Sequence, residues 1–195
     1  RSRGLGDVYK RQYVTQTDAD GNYVKNSNNV ELNNYKDETP VTLTTKGTET
    51  DNTASIYTDK GASATVTLDN VNINASKTDK AAIYTQGKVT LELDGSNTLT
   101  GGEGHAALEK YSTAPNNVPD KNYALTLQDE TTGGSKTGSL TANGGAGGAG
   151  IGGTITDRGY ANNITITGGT VTANGGAGGA GIGGGAGGSG SNGNG

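Results

Sequence analysis

The chain carries one histidine, His105, in the run Gly101-Gly-Glu-Gly-His-Ala106. With Glu103 two residues away, it offers the donor types of a metal site or an acid–base pair. Neither chemistry works with two groups alone, and the spacing supplies no third. We therefore read His105 as a turn residue. The other reactive groups are carboxylates: Asp59, Asp79, Asp94 and Glu103. Polysaccharide cleavage uses clustered carboxylates, often beside Arg or Lys. Asp59 and Asp79 each precede a lysine, a pattern that fits solvated charge in turns. No HExxH, CxxC or GxSxG motif is present. The absence of cysteine excludes disulfides, thiol catalysis and cysteine metal sites together. The sequence thus predicts no enzyme: no catalytic residue, metal or cofactor.

Binding chemistry is better represented. Five triplets carry Thr between two apolar residues: Val41-Thr-Leu43, Val66-Thr-Leu68, Val89-Thr-Leu91, Leu125-Thr-Leu127 and Ile164-Thr-Ile166. Stacked in register, Thr42, Thr67, Thr90, Thr126 and Thr165 form a hydroxyl ladder on one outer face. Thr100, Thr141 and Thr172, with Asn72, form another. Such a ladder suits an exposed strand for structural reasons alone, and it also suits a flat sugar-contacting or ice-contacting face. Tyr57 and Tyr84 occupy equivalent positions in a third set of triplets. Outward tyrosines one coil apart can stack on sugar rings or on each other. The candidate ligand-binding residues are Tyr57, Tyr84, Thr67, Thr90, Thr126 and Thr165.

These positions matter only if strands hold them in line. Apolar residues at i and i+2 mark a strand with one buried face. The first triplets begin at 41, 66, 89, 125 and 164, so the spacings are 25, 23, 36 and 39. A second set follows each: Val71-Asn-Ile73, Leu99-Thr-Gly101, Leu140-Thr-Ala142 and Val171-Thr-Ala173. A third set completes the unit at Ile56, Ile83, Leu108, Ile151 and Ile182. Three short strands recurring in fixed order predict an all-β, right-handed parallel β-helix of about five coils, with three short strands per coil. The long intervals contain insertions at 110–122 and 129–137, which a solenoid accommodates as surface loops.

The segment TANGGAGGAGIGG at Thr141–Gly153 recurs letter for letter at Thr172–Gly184. Identity over thirteen positions at an offset of 31 marks stacked repeats. Glycine allows tight corners and close coil-to-coil approach. Ile151 and Ile182 are the lone apolar plugs of these coils, which should be thinner and less stable than those around Val66–Leu93. No helix-forming sequence follows to make a dinucleotide site, no Gly-Lys-Ser/Thr makes a phosphate loop, and no Asp stands where calcium-binding nonapeptides need it.

Composition agrees. The chain of 195 residues has 36 Gly and 9 Tyr, no Cys, Met, Trp or Phe, and 29% hydrophobic residues. Any core must be thin and built of Val, Ile, Leu and Ala. The net charge of −4 supplies no basic face for nucleic acid. No apolar run approaches the roughly 18 residues that span a membrane.

Residues 1–12, RSRGLGDVYKRQ, hold three of the four arginines and a net charge of +3, which leaves −7 on the remainder. They resemble a translated sequencing-adapter read-through, and we set them apart from the fold as a leader. Residues 13–39 read as a polar segment with short strands, as at Asn22–Val24 and Val30–Leu32. Residues 40–184 read as the β-helix, and 185–195 as a glycine-rich tail. Without Met, and stopping inside glycine-rich sequence, the chain reads as an internal fragment.

The region Val66–Gly184 resembles β-helical, carbohydrate-binding-domain-like repeats in surface proteins of Gram-positive and gut bacteria. The resemblance rests on Ala82-Ile-Tyr-Thr-Gln-Gly-Lys-Val-Thr-Leu91, Asn97-Thr-Leu-Thr-Gly101 and Asn163-Ile-Thr-Ile-Thr-Gly-Gly-Thr-Val-Thr-Ala173 with the glycine block after it. It implies polysaccharide contact at a cell surface and carries over no signature binding residue. The expected function is a secreted or surface-displayed, non-catalytic β-helix in adhesion or polysaccharide binding. The alternatives are a structural spacer of a larger surface protein and a fragment of a β-helical polysaccharide lyase or hydrolase.

Overall fold

In a computed structural model of the chain, the described residues are 29–32, 41–45, 48–58, 61–111, 122–129, 138–155 and 161–187. The segments 1–12, 13–28 and 188–195, with Asn22–Val24 and Asp59, lie outside them. Among the described residues all regular structure is β, in three parallel sheets that the chain visits in turn. Sheet I contains β1 (Asn29–Leu32), β3 (Thr53–Tyr57), β6 (Ile83–Gln86), β9 (Leu108–Lys110), β12 (Ile151–Gly152) and β15 (Ile182–Gly183). Sheet II contains β2 (Val41–Leu43), β4 (Ser63–Asp69), β7 (Lys88–Asp94), β10 (Ala124–Gln128) and β13 (Ile164–Ile166). Sheet III contains β5 (Asn72–Asn74), β8 (Ser96–Thr100), β11 (Ser139–Asn143) and β14 (Thr170–Asn174). Each strand pairs with its equivalent one coil away, the arrangement of a parallel β-helix with three strands per coil.

The interior is the thin aliphatic core that the composition requires. Ile83, Leu91, Leu93, Leu99, Leu108, Leu125 and Leu127 are fully buried. Each such side chain is worth about 1.5–3 kcal/mol relative to an exposed one. Corners turn on left-handed residues. Asn70, Gly95 and Gly169 (φ 54°, 63° and 79°) lead from sheet II to sheet III in different coils. One inward position is polar. Asn97 is 1% exposed, yet its Oδ1 accepts from the Val71 N–H (2.8 Å). Its Nδ2 donates to Asp94 O (3.0 Å) and Ser139 O (3.1 Å), so the amide ties three coils together.

The register corrects the triplet alignment in every sheet. In sheet II, Val41 pairs with Val66, but Val66 pairs with Leu91 and not with Val89. The second spacing is therefore 25 rather than 23. In sheet I, Ala54 rather than Ile56 pairs with Ile83. In sheet III, Leu99 pairs with Ile73 and Ala142, not with Val71 and Leu140. The physical reason is shared. A period-2 pattern is unchanged by a slip of two residues, so alternation alone cannot choose between them. The corners choose: Asp69-Asn70 stacks on Asp94-Gly95, with Asn70 N–H donating to Asp94 O.

The two glycine blocks are one full coil apart. Ile151 pairs with Ile182 and Asn143 with Asn174. At this corner the backbones touch. A Cβ on Gly145 would lie 1.7 Å from Gly102 O, and one on Gly176 would lie 1.8 Å from Gly145 O. A parallel column runs from His105 through Gly148 to Gly179. Only glycine permits this approach.

Candidate functional site

The outer face of sheet I holds a line of aromatic rings. Tyr57 and Tyr84 have centroids 5.6 Å apart, tilted by 46°. Tyr84 and Tyr111 follow at 6.5 Å, and Tyr111 and Tyr123 at 5.6 Å in an edge-to-face contact. Tyr57, Tyr84 and Tyr111 step up successive coils, while Tyr123, just before β10, stands on the same coil as Tyr111 at the corner between sheets I and II. Each ring is half-exposed. The backbone does not place Tyr57 and Tyr84 at equivalent positions, which corrects that expectation. Tyr57 pairs with Gln86, while Tyr84 pairs with Ser55 and Glu109. Tyr84 leans across this offset, and its hydroxyl bonds Gln86 Oε1 at 3.1 Å. Tyr111 follows the pair Thr85↔Lys110, so it continues the column of Tyr57 and Gln86. Tyr84 fills the gap between the two.

Tyr111 and Tyr123 were not among the sequence candidates. They stand at the two edges of the insertion at 110–122, outside any triplet, so periodicity could not align them. The signal available in the sequence was the presence of a tyrosine near each end of the insertion.

Beside Tyr84 sits Glu109, with its side chain only 8% exposed. His105 Nδ1 lies 2.8 Å from Glu109 Oε2, so the ring N–H can donate to the carboxylate. The histidine therefore partners Glu109, not Glu103, which is exposed. The Glu109 carbonyl accepts from the Thr85 hydroxyl at 3.1 Å. Facing Glu109 on the next coil is Gly152, which leaves room for the carboxylate beside the rings. The aromatic faces offer an apolar platform, and the buried carboxylate beside them is held by His105. Of the other carboxylates, Asp79 is exposed and Asp94 pairs across sheet II with Asp69. Among the described residues no group of three His, Asp or Glu could hold a metal ion.

The threonine ladder of sheet II differs from the expected one. Thr90, Thr126 and Thr165 are in register, but their partner on β4 is Thr65. Thr67 belongs to the neighbouring row, Thr42, Thr67, Glu92 and Gln128. There the Gln128 amide donates to Glu92 Oε2 at 3.0 Å. The slip of two has the same cause as before. In sheet III the row is Asn72, Thr98, Thr141 and Thr172, so Thr98 stands where Thr100 was expected. Thr100 lies beside it with Asn74, Asn143 and Asn174. All nine outer positions of β8, β11 and β14 are Ser, Thr or Asn. These nine positions carry no charge, whereas sheet I carries the rings and the buried carboxylate.

No helix in the described residues is long and apolar enough to cross a membrane. Compared with known proteins, the chain matches no family model, no curated protein and no solved structure.

Proposed function

We propose that the protein is a non-catalytic β-helix, secreted or displayed on a bacterial surface, that binds polysaccharide along sheet I. The observation that carries this reading is the continuous cluster of four rings, in which Tyr57, Tyr84 and Tyr111 climb three coils and Tyr123 widens the platform beside Tyr111. A linear polymer meets a linear array, and aromatic faces offer apolar area to the C–H faces of sugars. The threonine rows of sheet II, with Thr90, Thr126 and Thr165, are a secondary face of the same ligand class.

The test is retention on a panel of immobilised glycans, with Tyr84→Ala and Tyr111→Ala as the altered chains. Binding to at least one glycan, lost in both variants while their thermal unfolding stays cooperative, supports the proposal. Failure to bind any glycan leaves the spacer reading in its place. Turnover of an acidic polysaccharide, abolished by Asp79→Ala or Asp94→Ala, would overturn the non-catalytic reading.

A further inference from the structure

The outermost coil of the described residues presents a face whose counterpart one coil below is covered. Residues 172–184 repeat 141–153 letter for letter, and they lie directly on them. The side chains one coil further on are therefore equivalent to buried ones. Leu127 pairs with Ile166, and Ile151 with Ile182. Leu127 and Ile151 are fully buried, yet Ile166 is 42% exposed and Ile182 is 46% exposed. Ile164, Val171 and Ala173 are only partly buried, although their partners Leu125, Leu140 and Ala142 are fully covered.

The backbone repeats the relationship. Five N–H groups of the lower block donate upward: Gly144 to Asn174 O, Gly147 to Ala177 O, Gly150 to Ala180 O, Ile151 to Gly181 O and Gly153 to Gly183 O, at 2.8–3.0 Å. One repeat later stand Gly175, Gly178, Gly181 and Gly184. Their N–H groups have no acceptor among the described residues. Even the segment after the block is copied. Ile155 N–H donates to Gly104 O (2.9 Å), and Ala186, 31 residues on, donates to Gly147 O (2.7 Å).

We infer that this end of the helix is an acceptor site, and that its occupant is one further parallel coil that carries the same thirteen-residue block, TANGGAGGAGIGG. The identity of the occupant follows from the interface already present. A surface with the same donors at the same spacing and the same apolar plug takes the same complement. That complement offers carbonyls at positions equivalent to Asn174, Ala177, Ala180 and Gly183, and an isoleucine over Ile182. It must also be glycine where Gly176 and Gly179 approach the coil below, because a Cβ at either would lie within 2.1 Å of a carbonyl oxygen. Each added coil regenerates the face it covers, so the site is a template for growth of the helix by identical units. This inference is independent of the polysaccharide reading.

The experiment uses single-cysteine reporters, for which a chain without native cysteine is suited. Ile182→Cys is placed in the full chain and in a chain with a second copy of Thr154–Gly184 inserted between Gly184 and Gly185. A thiol reagent should modify Cys at 182 readily in the first and at least about tenfold more slowly in the second, the ratio given by 1.4 kcal/mol of closure. Ile151→Cys, already covered, is the slow reference. Equal labelling of position 182 in both chains overturns the inference. So does equal protection by an insert of the same composition in scrambled order. Amide exchange supplies a second readout that tolerates any local effect of the cysteine. Gly175, Gly178 and Gly181 should gain protection with the true insert and none with the scrambled one.

Discussion

The ring of Tyr84 lies 5.6 Å from that of Tyr57, although the backbone register sets Tyr57 opposite Gln86. A two-residue offset along the strand is closed by the side chain alone, which crosses to Gln86 and bonds it. The contact is therefore a property of the side chains and can be removed without disturbing the coil. A double-mutant cycle of Tyr57→Ala and Tyr84→Ala should give a coupling of about 0.5–1.5 kcal/mol in chemical denaturation. Strict additivity would mean that the rings stand side by side without holding each other.

Glycan retention should follow the centre of the array more than its ends. Tyr84 and Tyr111 each touch two rings, whereas Tyr57 and Tyr123 each touch one. Loss of a central ring splits the platform; loss of a terminal one shortens it. Tyr84→Ala and Tyr111→Ala should thus weaken binding more than Tyr57→Ala. Tyr84→Phe, which keeps the face and loses only the bond to Gln86, should bind nearly as well as the parent. Affinity chromatography on the best glycan would rank them, and a ranking led by Tyr57→Ala contradicts the linear platform.

Asn97 is the costliest polar side chain to remove. It satisfies one N–H and bonds two carbonyls across three coils from an inward position. A buried group left unsatisfied costs about 1–3 kcal/mol. Asn97→Ala should therefore destabilise the helix by about 3 kcal/mol or more in urea titration. Thr98→Ala, on the outer face next door, should stay within about 0.5 kcal/mol. Similar losses for the two would mean that the amide is not buried as described.

The sequence made the architecture legible because stacking demands it: equivalent strands must recur in order, and the offset of 31 between Ile151 and Ile182 is one coil. It could not reveal register within each strand. Val66-Thr-Leu68 matches Val89-Thr-Leu91 by eye, yet Val66 lies on Leu91. The deciding information sits in the corner at Asp94-Gly95, which periodicity ignores. The candidate site was half legible for a related reason. Tyr57 and Tyr84 fall inside triplets, whereas Tyr111 and Tyr123 are joined across an insertion. His105 was visible as a lone histidine, but its partner Glu109 is four residues on, around a corner whose path only the fold defines.

The glycine columns predict sharp intolerance at positions with no side chain to lose. Gly145→Ala drives a methyl into Gly102 O, and both atoms belong to backbones locked by neighbouring coils. Relief requires the coils to separate, so the cost should exceed the usual overpacking range of about 1–3 kcal/mol. Ala146→Ser, exposed at the next residue, is the control and should be near neutral. The check is the midpoint of thermal unfolding for each chain. A Gly145→Ala chain as stable as the parent would show that the corner is looser than this stacking allows.

The register itself can be tested without any ligand. Paired residues on adjacent parallel coils lie about 4.8 Å apart, inside the range that a disulfide spans. A slip of two residues adds about 6.6 Å along the strand, which puts the Cα atoms about 8 Å apart, beyond bridging distance. Thr65 is the partner of Thr90, and Thr67 is not. In this cysteine-free chain, Thr65→Cys with Thr90→Cys should therefore oxidise to an intramolecular bridge, whereas Thr67→Cys with Thr90→Cys should remain reduced. Thiol titration after mild oxidation reads the difference. If the second pair closes and the first does not, the spacing between these coils is 23. The threonines of sheet II would then form the five-membered ladder that alternation alone suggests, and Glu92 would lose its place opposite Thr67. The two outcomes are mutually exclusive because a strand pinned at Asp69 and Asp94 cannot hold both registers at once.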